Sequence, residues 1–112
     1  MNDKNLISDD KKLHVQFRLE PGCLGPQGLS HVNAFCLFAQ KKFEANNNHF
    51  VKWEIAPRLN KSDPEITYKI KGKKLGNQQV SKYLKVFNQE LSVFEDRLDS
   101  DIAQMIDLYL SQ

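Results

Sequence analysis

The sequence predicts an α+β fold, a two-layer sandwich in which a three-stranded mixed sheet carries two main helices on one face. Three observations lead there. Leu13, Val15, Phe17 and Leu19 alternate with His14, Gln16, Arg18 and Glu20, the two-residue period of a half-buried strand. Leu29, Val32, Cys36, Ala39 and Phe43 recur in steps of three and four, as does the set Val80, Leu84, Phe87, Leu91, Phe94 and Leu98. Those steps are the apolar faces of two helices. A sheet with one apolar face and helices with one apolar stripe bury both by stacking.

Taken in order, the chain reads β-α-β-β-α-α. Residues 1–11 are polar and are expected to form a flexible N-terminal tail, leaving 12–112 as a single domain. The first strand ends at Pro21-Gly22. The loop Gly22-Cys23-Leu24-Gly25-Pro26-Gln27-Gly28 then feeds the first helix, with Ser30 or Gly28 as its expected N-cap. Lys41 and Lys42 suit the negative end of that helix, and Asn46-Asn47-Asn48 is expected to end it. Leu37 and Phe38 lie off its main stripe, so this helix is expected to touch something on a second side.

Phe50 to Ile55 reads as the second strand, with Val51, Trp53 and Ile55 on one face and Pro57 ending its ladder. Ile66, Tyr68 and Ile70 alternate with Thr67, Lys69 and Lys71 in the third. A right-handed crossover makes the first two strands parallel. The simplest arrangement for the second and third is an antiparallel hairpin closed by the long polar segment 58–64. The second apolar stripe predicts one long helix from Val80 to Leu98, on which Leu84, Phe87, Leu91 and Phe94 face Val15, Phe17, Trp53 and Tyr68. Asp99-Ser100-Asp101 reads as a break, with Asp101 and Gln104 at capping-box spacing for a short terminal helix.

Composition bounds the function classes. At 112 residues with 40% hydrophobic and 10% aromatic content, the chain can bury one modest core. No apolar run approaches the roughly 18 residues a membrane span needs, so no membrane partner is expected. The start lacks the basic-then-apolar order of a secretory signal, and two isolated cysteines fit a reducing compartment. The expected location is the cytoplasm. Neither cysteines nor histidines fall at metal-ligand spacings, so no metal or cofactor is expected.

Candidate site residues fall in two groups. The glycine loop, with Gly22, Cys23, Gly25 and Gly28, precedes a helix N-terminus whose free amides suit an anion or a thiolate. Its spacing matches neither the dinucleotide fingerprint nor the phosphate loop, so a tight strand-to-helix turn is the favoured reading. At least one of its glycines is expected to take a positive φ. Cys23 is the one candidate nucleophile, whereas Cys36 lies on the apolar stripe and reads as core. The second group, Arg18, Lys52, Lys69, Lys71, Lys73 and Lys74, would make a basic surface on the polar sheet face. Residues 41–82 hold ten basic and four acidic side chains, and residues 83–112 hold two basic and six acidic. Opposite halves of this kind attract one another within a domain or between copies.

The acidic residues near the end fall between the apolar positions, as an exposed helix face requires. Surplus apolar residues there, Leu108 and Leu110, and uncovered sheet edges point to self-association. The reading is a small cytoplasmic interaction or regulatory domain without enzymatic activity, acting as a homodimer or on another protein. The alternatives are a nucleic-acid-binding regulator using the basic sheet face and a thiol-dependent enzyme using Cys23.

Overall fold

The computed structural model describes residues 8–45 and 49–112. Of the expected N-terminal tail, residues 1–7 lie outside the described residues, and Asp9–Lys11 form a 3-10 turn. The three asparagines expected to end the first helix also lie outside them. Among the described residues there are four strands, β1 (Leu13–Leu19), β2 (Val51–Pro57), β3 (Ile66–Ile70) and β4 (Lys73–Lys74). Three α-helices accompany them, α1 (Gly28–Glu44), α2 (Asn77–Val86) and α3 (Leu91–Leu110). The α+β class holds, with one more strand than the sequence predicted and three helices as read, the last two divided at a different point.

Strand β1 alternates between buried and half-buried residues along its whole length, and it takes the centre of the sheet. The order is β2-β1-β3-β4, with β1 parallel to β2 and antiparallel to β3. The parallel pair is the one expected from the crossover. The expected hairpin between the second and third strands is not formed, because β3 lies on the far side of β1. Segment 58–65 makes the step across β1, and it is fastened there by backbone bonds from Arg58 N–H to Leu19 and from Arg18 N–H to Glu65. The outer edge of β2 is meanwhile occupied by Gln40 of α1. Its side-chain amide donates to the Trp53 carbonyl at 2.8 Å and accepts from the Ile55 amide at 2.8 Å. A parallel strand would use the same two groups.

Strand β4 escapes the sequence reading because two lysines carry no hydrophobic period. It returns through a two-residue turn in which Lys71 and Gly72 both have positive φ, 54° and 79°, the mirror-image turn that suits strand twist.

The single long helix of the sequence reading is two helices. Asn88, at φ 59°, takes the left-handed position after α2. The amide of Gln89 bonds the Leu84 carbonyl and that of Asn88 bonds the Lys85 carbonyl, which completes a Schellman stop. The expected break at Asp99-Ser100-Asp101 is absent, and those residues lie inside α3. Phe94, Leu98 and Ile102 are buried at two successive steps of four. A helix of 3.6 residues per turn drifts against a strict four-three alternation, so a doubled step of four continues the stripe instead of ending it.

All three helices bury their stripes on one face of the sheet. Trp53 is stacked between the two layers, 4.7 Å from Phe43 of α1 and 5.9 Å from Phe94 of α3 by ring centroids. Phe94 therefore packs on the sheet as expected, whereas Phe87 stacks on Phe50 at 4.3 Å and stays half-buried. The second contact expected of α1 is made by Phe38, whose ring lies 5.7 Å from Tyr109 of α3, while Leu37 is exposed.

Candidate binding surfaces

Among the described residues every helix lies on one side of the sheet and no element covers the opposite face, so register decides what stands on it. His14 pairs with Lys52 of β2 and with Lys69 of β3, and Lys69 pairs with Lys74 of β4. Paired residues share a face, so Lys52, His14, Lys69 and Lys74 form one transverse row from edge to edge. At the usual strand spacing the row spans about 14 Å. Lysines placed directly opposite repel, so the row costs the fold stability.

The adjacent row is neutral to acidic. Glu54 accepts from Gln16 Nε2 at 2.9 Å and lies 2.9 Å from His14 Nε2, so it steadies the imidazole at the centre of the basic row. A cavity of about 210 Å³ opens beside the row, lined by Asp10, Lys12, His14, Lys52, Lys71 and Gly72. Lys71 there lowers the pKa of Asp10, after the larger effect of the Ser8 hydrogen bond.

The six predicted basic residues thus divide. Lys52, Lys69 and Lys74 share the row. Lys71 sits on the turn beside it, and Lys73 pairs with Ile70, which puts it on the helix side of the edge. Arg18 is committed elsewhere. Its guanidinium donates to the Pro64 carbonyl at 2.8 Å, to Thr67 Oγ1 at 3.0 Å and to Gln16 Oε1 at 2.9 Å, pinning the crossing segment.

The glycine loop is more ordered than its composition implies. Pro21–Leu24 wind into a 3-10 turn whose Leu24 is buried. Gly25 follows at φ 93° and ψ −170°, a conformation closed to other residues, so the expected positive φ is found there. Gly28 is the first residue of α1 and touches the preceding turn, where a Cβ would overlap the Pro21 carbonyl. Gly22 has open space around it. Neither Ser30 nor Gly28 is the N-cap. Gln27 holds that position, and the Ser30 hydroxyl donates to the Gln27 carbonyl at 2.8 Å.

The loop borders a cavity of about 340 Å³ shared with Arg58, Leu59 and Lys61 of the crossing segment. Gly22, Gly25 and Gly28 line it and Cys23 does not. Cys23 is exposed on the 3-10 turn, whereas Cys36 is buried in the core and desolvation pushes its thiol up to about 11. Cys36 is therefore inert.

Gln40, which holds the outer edge of β2, is the structural residue that sequence reading missed. The available signal was a long amide flanking the apolar stripe, between Cys36 and Phe43, on a helix that immediately precedes a strand.

Among the described residues, seven large hydrophobic side chains are exposed. Six of them, Leu29, Leu37, Val86, Val93, Leu108 and Leu110, belong to the three helices, and Leu59 belongs to the crossing segment. None is on the uncovered sheet face. Among the described residues no group of acidic, histidine or cysteine side chains could hold a metal ion, and no helix is long and apolar enough to cross a membrane. No family model matches the chain, nor does any curated protein or solved structure.

Proposed function

We propose that the protein is a small cytoplasmic interaction domain without enzymatic activity that pairs with a second copy through its helix layer. The observation that carries this reading is the segregation of exposed apolar side chains, six on the helices and none on the sheet face. Apolar side chains confined to one layer supply the contacts of a protein interface where they adjoin.

Charge favours a second copy as the occupant. Helix α1 carries Lys41 and Lys42 toward its end, and the neighbouring α3 carries exposed Asp96, Asp99 and Asp107. A two-fold axis lying in the interface plane and running between α1 and α3 lays α1 of each copy over α3 of the other, so both contacts are complementary. Other pairings are less favourable. The β2 edge is clipped by Gln40 and lacks a donor at Pro57, and the β4 edge is two exposed lysines. Stacking the basic sheet face on the acidic helix of the next copy is head-to-tail and gives no closed two-fold pair.

Sedimentation tests the reading. The protein should run as a dimer at micromolar concentration, and Leu37→Glu with Leu108→Glu should give a folded monomer. A monomer-sized wild type across a wide concentration range rejects it, as does an undiminished dimer in the double variant.

A further inference from the structure

We infer that the transverse row on the uncovered sheet face binds the phosphate backbone of a nucleic-acid duplex, independently of base sequence. Three features of the face lead to this partner. The first is the array itself, Lys52, His14, Lys69 and Lys74 in one line across four strands with no carboxylate in the line. A line of repelling cations is resolved by a linear polymer of regularly spaced negative charge, and a duplex backbone supplies one phosphate every 3.4 Å or so along each strand.

The second is the absence of an apolar anchor. Protein interfaces draw their affinity from buried aromatic or aliphatic side chains at the centre of the patch. Among the described residues no large hydrophobic side chain is exposed on this face. Nucleic-acid interfaces, being polar and strongly basic, need none. The third is the absence of a stacking platform. Trp53 and Tyr68 face the core, so among the described residues the face offers no aromatic ring other than the His14 imidazole for an unpaired base. Single strands are held chiefly by such stacking, and a duplex backbone does without it.

Glu54 beside the row opposes the partner, but its carboxylate is already engaged by His14 and Gln16. The inference does not rest on self-association. If two copies do pair through their helices, the two rows face outward on opposite sides and a dimer can hold two duplex segments.

The test is fluorescence polarisation with labelled DNA and RNA duplexes of arbitrary sequence, titrated across ionic strength. Three lysines on phosphates predict a log–log salt slope of about −2.7. Lys52→Gln, Lys69→Gln and Lys74→Gln together should flatten that slope and weaken binding at low salt by roughly tenfold or more. Lys41→Gln with Lys42→Gln, on the helix layer, should leave it unchanged. Amide shifts of the wild-type protein on adding duplex should centre on residues 14, 52, 69 and 74, a readout that needs no variant. Polyglutamate bound as tightly as duplex overturns the inference in favour of an acidic protein partner. Absence of duplex binding, preference for single strands, or a footprint on the helices overturns it outright.

Discussion

Tyr68 joins the two layers through one hydroxyl. Its ring is buried beneath α3, and the O–H donates to Glu95 Oε2 at 2.7 Å. Desolvation, then the hydrogen bond and charge of Glu95, raise its pKa well above the ordinary value of 10.0. Burial likewise raises Tyr83, although a backbone hydrogen bond from Leu13 partly opposes it, and the Cys36 thiol stands at about 11. All three groups fold in the neutral form. A raised acid contributes stability that is fully present below its unfolded pKa and lost as pH climbs past it. Denaturant midpoints should therefore hold through neutral pH, begin to fall above pH 9 as Cys36 is passed and fall further above pH 10 as the tyrosines follow, Cys36 and Tyr68 each contributing at most about 1.4 kcal/mol per pH unit and the more exposed Tyr83 less. Tyr68→Phe should be less stable at neutral pH by about 0.5–1.5 kcal/mol, the usual worth of a hydrogen bond, and should lose less on going alkaline. A variant with an alkaline decline as steep as the wild type would show that Tyr68 ionises freely.

At the scale of elements, Gln40 shows how one side chain sets topology. By filling the outer edge of β2 it leaves the sheet only the far side of β1 on which to grow, and β3 goes there. Replacing it with leucine strips the partners from the Trp53 carbonyl and the Ile55 amide. Gln40→Leu should cost about 1–3 kcal/mol in denaturant unfolding, the penalty for unpaired buried backbone groups. It should also expose a sheet edge that promotes edge-to-edge association. Glutamate at this position keeps the acceptor for Ile55 and loses the donor for Trp53, so it should fall between. An unchanged midpoint in Gln40→Leu would mean that water satisfies that edge equally well.

The same elements mark what the sequence makes legible. Strong periods survive translation: β1, the apolar face of α1 from Val32 to Phe43, the parallel crossover and the buried phase of β2 stand as read, whereas Leu29, expected to open the α1 stripe, is exposed at the helix start. Pairing partners do not, since Ile66, Tyr68 and Ile70 carry the same pattern whichever strand they join. A stripe also keeps its spacing across a kink. Val80 to Leu98 looks continuous because Asn88 turns the chain without disturbing the count, and a left-handed asparagine has no hydrophobic signature. Of the candidate site, the lysines of the basic face were visible as a set. Their alignment into one row depends on a register between β1 and β3 that only the fold supplies, and the role of Arg18 depends on where segment 58–65 crosses.

Over the whole molecule the two faces differ in kind, with apolar surplus on the helices and a line of cations on the sheet. Lys69 and Lys74 stand directly opposite each other on the exposed face, which is a destabilising arrangement in an antiparallel pair. If stability alone shaped that face, one of the two would be expected to be acidic. Lys74→Glu converts the repulsive pair into an attractive one, with no buried group disturbed and only a two-residue edge strand involved. It should raise unfolding stability by about 0.2–1 kcal/mol at low salt, with the gain shrinking as salt is added. The same change should weaken duplex binding and make its salt slope shallower by about one phosphate's worth, since one phosphate loses its lysine, while the new carboxylate adds repulsion. Stability and binding then move in opposite directions from a single exposed side chain. If Lys74→Glu stabilises the fold while duplex affinity and its salt slope stay put, the row is merely solvated surface. If both fall together, Lys74 supports the hairpin in a way its register does not reveal.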